Sequence, residues 1–127
     1  ISQTGGTAEL FNNTSDSNGY MGIYAEGPLS VVGRNNIVTR NGIGWRWNGA
    51  GSVDTNYDDV WSNGTNYLGV VAGPDSISAD PLFVQTSDPT LPAYYSPSSG
   101  SPCIDAGTDV GLSFLGAAPD LGAIEVQ

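Results

Sequence analysis

The chain contains no histidine and no lysine, one cysteine, one methionine and only three basic residues, Arg34, Arg40 and Arg46. Each shortage excludes a class of chemistry. Without histidine or lysine the chain cannot build a Ser-His-Asp triad, a Cys-His pair or a lysine base. Three arginines against 13 acidic residues cannot neutralise a row of phosphates, which removes nucleic-acid binding through a basic patch and disfavours anionic membrane surfaces. A lone Cys103 forms no internal disulfide and leaves the redox compartment open. No run approaches the roughly 20 apolar residues of a membrane span, so membrane insertion is not expected.

What is present points to strands and turns. With 127 residues, 18 of them Gly and 8 Pro among abundant Asn, Ser and Thr, the chain suits one all-β domain and opposes long helices. Its formal charge of -10 is scattered, and 39% of residues are hydrophobic, so the acidity reads as a solvated surface and not a disordered tail. The start ISQTGG lacks an initiator Met and a signal-like n-region, and reads as a mature or excised segment. Asn-x-Ser/Thr triplets at Asn12, Asn13 and Asn63 are glycosylation acceptors on paper.

Three segments align with one another: NNTSDSNGYMGIYA (12–25), NNIVTRNGIGWRWN (35–48) and YDDVWSNGTNYLGV (57–70). Their Asn-Gly pairs at 18–19, 41–42 and 63–64 recur every 22 to 23 residues, a solenoid period. The Leu-x-x-Leu-x-Leu pattern of leucine-rich repeats is missing, and each unit instead carries short strand-like runs broken by Asn, Gly and Ser, which favours a β-helix coil. Equivalent residues of successive coils would then stack at about 4.8 Å. Asn13, Asn36 and Asp58 form one such column, where side-chain amides would bond from coil to coil as a structural ladder. A second column holds Ile23, Trp45 and Tyr67 if Gly22 aligns with Gly44; otherwise Trp45 lies over Gly22 and Trp47 over Tyr24, and the facing of the strand reverses.

Beyond residue 70 the period fades into GPDSISADPLFV (73–84), TSDPTLPAYYSPSSGSPCIDAGTDVG (86–111) and APDLGAIEVQ (118–127). NYDDVWSNGTNYLG followed by ADPLF, SPCIDAG and a DLGAIE-like strand resembles the C-terminal part of secreted right-handed parallel β-helix proteins of the pectate-lyase-like superfamily. The resemblance implies a right-handed parallel β-helix (solenoid) of about three to five short coils, in a single domain 1–127. Residues 1–84 would hold the coils and 85–127 an irregular C-terminal coil and cap. Residues 1–10 would form a first strand or partial cap. An uncovered first coil presents open strand edges, so the implied partners are a second copy stacked head to tail or upstream coils of a longer protein. The implied location is extracellular or at the cell surface. The superfamily includes polysaccharide lyases, hydrolases, adhesins and tail proteins, so fold alone names no reaction.

Three site readings follow from the residues. Asp54, Asn56, Asp58 and Asp59 place oxygens at alternate positions like half a calcium loop, although no Gly follows Asp58 and Thr65 stands at the twelfth position; a solvated acidic turn is the alternative. No cofactor is required, and calcium is the metal these residues would take. Asp16, Asp58 and Asp59 could supply a carboxylate pair for glycoside hydrolysis, and a pectate-type lyase would have only Arg34, Arg40 or Arg46 near the sugar, but no residue is assigned a catalytic role. Trp45, Trp47 and Arg46 are the candidate carbohydrate-binding residues, the two indoles on one side of a strand and Arg46 on the other; outward, the indoles would stack on carbohydrate, and inward they are core, which the general burial of aromatic rings favours. Cys103 reads as a buried, inert thiol, and Asp105 and Asp120 as turn organisers.

The leading expectation is a noncatalytic structural or adhesive extracellular module that forms assemblies or filaments. The alternatives are a polysaccharide-active domain, lyase or hydrolase, and passive carbohydrate binding.

Overall fold

The computed structural model describes residues 5–126. Each repeat supplies three short strands separated by corners: β1 (Thr7–Phe11), β2 (Thr14–Asp16) and β3 (Met21–Glu26); β4 (Ser30–Arg34), β5 (Ile37–Thr39) and β6 (Ile43–Asn48); β7 (Ser52–Asn56), β8 (Asp59–Trp61) and β9 (Thr65–Leu68). Every strand pairs in parallel with its counterpart one coil away, giving three sheets in the orders β1-β4-β7, β2-β5-β8 and β3-β6-β9. The chain is a parallel β-helix of three complete coils, wound in the right-handed sense of parallel crossovers. β1 covers part of the expected first strand or cap over 1–10; residues 1–4 lie outside the described residues.

The corners explain the Asn-rich spacing. The residue opening the corner between the first and second strands is left-handed in every coil, at Asn12 (φ 52), Asn35 (φ 59) and Tyr57 (φ 54). The next corner repeats the device at Ser17, Arg40 and Ser62. Asparagine adopts this conformation at low cost, whereas Arg40 is held in it by the coils above and below and Tyr57 packs against the cluster of Ile37, Phe83, Cys103 and Leu121.

Small side chains alternate with large ones inside the coils. The buried core is Ala25, Leu29, Val31, Val38, Trp45 and Val60, with Ala8, Leu10, Ile23, Trp47, Val53, Tyr67 and Val70 packed against it. Ile23 stacks on Trp45 and Trp45 on Tyr67, so the register that aligns Gly22 with Gly44 is the one adopted. Packing dictates it. A Cβ on Gly22 would lie 2.6 Å from Val38 Cγ1 and one on Gly44 2.9 Å from Val60 Cγ1, while Gly33 leaves the space that the Trp45 ring fills, 2.9 Å from where its Cβ would be.

After Leu68 regular coiling stops, short of the expected limit at residue 84. Residues 70–79 pass beneath the third coil: Val71 O accepts from Thr55 Oγ1, Asn56 and Asp75 exchange hydrogen bonds, and Ile77 bridges Asp59 in parallel. This occupies lower strand edges that head-to-tail stacking of a second copy would need. The remaining chain, irregular except for a short 3-10 turn at Pro92–Tyr95, runs back along the outer face of β2-β5-β8. Leu121 and Cys103 join Ile37 and Phe83 in a second cluster, Gly122 N–H donates to Asn35 O, and Ala123 N–H reaches Thr14 Oγ1 in the first coil. The cap therefore covers a flank spanning all three coils. Ile37, Val38 and Thr39 are all buried because both faces of β5 are covered. No strand forms over 118–126, where the sequence suggests a closing strand: Asp120 instead accepts backbone hydrogen bonds from Asp105 (2.8 Å) and Val126 (2.7 Å).

Candidate functional site

The ladder column is continuous. Asn13 Nδ2 donates to Asn36 Oδ1 at 3.0 Å, and Asn36 Nδ2 to Asp58 Oδ1 at 2.9 Å, each acceptor also taking the backbone N–H of the residue above. A second ladder, which the repeated Asn-Gly pairs signalled as a corner only, runs Asn18, Asn41, Asn63 and Asn66 with Nδ2 to Oδ1 distances of 2.9, 3.1 and 3.0 Å. These bonds engage the acceptor asparagines. Asn63 Nδ2 also donates to Val38 O and Trp61 O, Asn13 Nδ2 to Phe11 O, and Asn12 Nδ2 to Asp120 O, so in the folded chain the side-chain nitrogen of each triplet is hydrogen-bonded.

The four residues expected to hold calcium are not brought together. Asp54 and Asn56 face outward from β7, Asp54 gripped by Arg34 at 2.7 Å and Asn56 by Asp75. Asp58 lies at the buried ladder corner, and Asp59 emerges on the next sheet beneath the C-terminal flank. Alternation along β7 followed by a corner separates what the linear spacing joined. Among the described residues no three His, Cys, Asp or Glu side chains are grouped to hold a metal. Nor do Asp16, Asp58 and Asp59 face one another across a groove. Asp16 is clamped by both arms of Arg40, at 2.7 Å each, and Arg40 lies over the Phe83 ring. Burial pushes the carboxyls of Asp58 and Asp59 up to about 6; Asp59 is held by Ala79 N–H and Cys103 Sγ–H. Burial likewise pushes the Cys103 thiol upward, away from reactivity.

Trp45 is fully buried, and Trp47 packs against the same core. The register turns this side of β6 inward, so the two indoles form no carbohydrate platform, and Arg46 is the member of that trio on the outer face.

That outer face, on β3-β6-β9, is where exposed chemistry converges. Tyr24, Arg46 and Leu68 stack in one column, and Glu26 and Asn48 in the next. The Arg46 guanidinium lies 5.4 Å from the centre of the Tyr24 ring, and Tyr24 donates its hydroxyl to Glu26. That bond, above all, raises the Tyr24 phenol, so it stays protonated at neutral pH. An aromatic ring, a cation, an amide and a carboxylate thus share one surface, on a different sheet from the one the C-terminal flank covers. Tyr24 belongs to the aromatic cluster that the sequence offers for stacking, but its pairing with Arg46, and Glu26 altogether, show only once the register is settled.

Comparison with known proteins agrees with this architecture. Pectate lyase L of Dickeya chrysanthemi is 34% identical over 126 residues, covering 94% of this chain and 28% of the relative, so the chain spans little more than a quarter of the length of that protein. No family model matches the chain, and no solved structure matches it. With its stacked parallel coils and this likeness along nearly its whole length, the chain is a parallel β-helix that resembles the pectate-lyase-like superfamily.

Proposed function

We propose that the chain is the glycan-contacting part of a polysaccharide-active β-helix, and that the outer face of β3-β6-β9 binds an acidic polysaccharide of the pectate type outside the cell. The observation that carries this reading is Arg46 over Tyr24 beside Asn48, on a chain similar to a pectate lyase along 94% of its length. A guanidinium forms paired, charge-assisted bonds with a uronate carboxylate, an aromatic ring packs on the C–H face of a sugar, and an amide reaches hydroxyls. Arg34 and Arg40 are engaged by Asp54 and Asp16. Arg46 is therefore the arginine that answers for recognition in a protein whose charge of -10 otherwise repels a polyanion. The likeness supports this reading and lends nothing to a purely structural or adhesive role.

Calorimetric titration with galacturonate oligomers and with neutral oligosaccharides of equal length tests it. The acidic oligomer binds and the neutral one does not; Arg46→Gln costs about 1.5 to 3 kcal/mol, roughly ten- to hundredfold in affinity, while Arg34→Gln costs little. Equal affinity for both oligomers, or no binding to either, overturns the proposal. Appearance of unsaturated products in the same mixtures reports cleavage separately from binding.

A further inference from the structure

Asparagine precedes glycine four times, at Asn18-Gly19, Asn41-Gly42, Asn48-Gly49 and Asn63-Gly64. In such a pair the glycine nitrogen can attack the preceding carboxamide unhindered by a Cβ, which makes the pair chemically labile. The fold treats the four copies differently. Gly42 N–H donates to Asn18 O at 3.2 Å and Gly64 N–H to Asn41 O at 3.0 Å, so both nitrogens are held by the coil above. Their asparagines are held too. Asn41 is 4% exposed, its Oδ1 accepting from Asn18 N–H and Nδ2 and its own Nδ2 donating to Ser15 O and Asn63 Oδ1. Asn63 Nδ2 makes the bonds to Val38 O, Trp61 O and Asn66 Oδ1 described above.

The first coil lacks that restraint. Among the described residues Gly19 N–H donates no hydrogen bond, and nothing donates to Asn18 Oδ1. Asn18 is exposed, and a methyl group on Gly19 would meet nothing within 4 Å. Asn48 is exposed as well, but Gly49 is wedged against the coil above, with the position of a Cβ 2.2 Å from Gly27 O, and Asn48 O accepts from Gly27 N–H.

We propose that Asn18 is a modification site, deamidating spontaneously in the folded protein ahead of the other three. Gly19 N attacks Asn18 Cγ and forms the C–N bond of a cyclic succinimide. The Cγ–Nδ2 bond breaks, and ammonia leaves with the proton lost from Gly19 N. Water then opens the ring at either carbonyl, giving aspartate or isoaspartate. The product carboxylate can no longer donate to Asn41 Oδ1 (2.9 Å) or Ser15 Oγ (3.1 Å), so modification removes the top rung of the second ladder and adds negative charge beside it.

Peptide mapping by mass spectrometry, with enzymatic methylation to detect isoaspartate, follows the folded protein at mildly alkaline pH and a parallel sample in urea. Residue 18 converts several-fold faster than residues 41 and 63 in the folded protein, residue 48 falls between, and the four rates converge in urea. Conversion of residue 41 or 63 as fast as residue 18 in the folded protein overturns the proposal. Gly19→Ala, whose methyl group enters open space, leaves the fold intact and suppresses conversion at residue 18; undiminished conversion there overturns the proposed attack.

Discussion

Exchanging Asp58 for asparagine changes the charge of one ladder rung while keeping its shape. In the folded chain the side chain is fully buried, Oδ1 accepts from Asn36 N–H (2.8 Å) and Asn36 Nδ2 (2.9 Å), and Oδ2 is buried without a partner among the described residues. Burial is the dominant cause that lifts the carboxyl from 3.8 to about 6, against the lowering effect of the Asn36 bonds. A folded-state value above the unfolded one means that the folded chain binds the proton more tightly. The stability that this side chain contributes is therefore complete below pH 3.8 and is lost as pH rises through 6. At about 1.4 kcal/mol per pH unit, the displacement amounts to about 3 kcal/mol above pH 6, an upper figure because a buried site relaxes and admits water. The substituted amide would keep the Oδ1 acceptor and put an N–H donor where Oδ2 stands, toward Gly33 O, the counterpart in the next coil of the Leu10 carbonyl that Asn36 Nδ2 already uses. The D58N protein should be about 1 to 3 kcal/mol more stable than wild type at pH 7 and nearly equal to it at pH 4. Urea unfolding of both proteins across that range measures the difference, in which the contributions of the other carboxylates largely cancel. A difference that does not change with pH, or a variant less stable at pH 7, refutes the assignment of a buried charge to this rung.

Further outcomes follow from the packing and the ladders. Trp45→Ala should cost about 3 to 5 kcal/mol, and Gly33→Ala about 1 to 3 kcal/mol by driving a methyl group into the Trp45 ring; chemical unfolding of each variant checks both. Asn41→Ala should destabilise by about 2 to 3 kcal/mol, since it strips an acceptor from Asn18 N–H and a donor from Asn63 Oδ1, whereas Asn13→Ala, at the exposed top of its ladder, should cost less than half as much by the same measurement. Cys103, fully buried with a raised thiol, should react with an aromatic disulfide reagent only on unfolding, and its rate should track the unfolded fraction through a urea titration.

The repeat was legible in the sequence because side chains at equivalent corners face equivalent constraints. Asn13, Asn36 and Asp58 stand in a column because each lower member must satisfy the backbone N–H of the coil above. The facing of β3 and β6 was not legible from alternation alone, since it turns on whether Gly22 and Gly44 share a level, and the crowding of both by Val38 and Val60 decides that. Linear spacing misled at Asp54, Asn56, Asp58 and Asp59, where a corner intervenes and places the carboxylates on different sides of the chain. The cap that holds Cys103, Asp105, Asp120 and Leu121 was expected, but where it docks was hidden for a different reason. It has no period, and its contacts reach Asn12 and Thr14, more than 100 residues away. The candidate site itself needed the register first, because Tyr24 joins Arg46 only across neighbouring coils.

The central functional claim is most directly tested by mapping where an acidic glycan touches the folded chain. In amide NMR titrations with a galacturonate oligomer, shifts are expected at Tyr24, Glu26, Arg46, Asn48 and Leu68, lost in the Arg46→Gln protein. Shifts gathered instead around Thr90, Leu91 and Tyr95, which line a 270 Å³ groove on the covered flank, would contradict it.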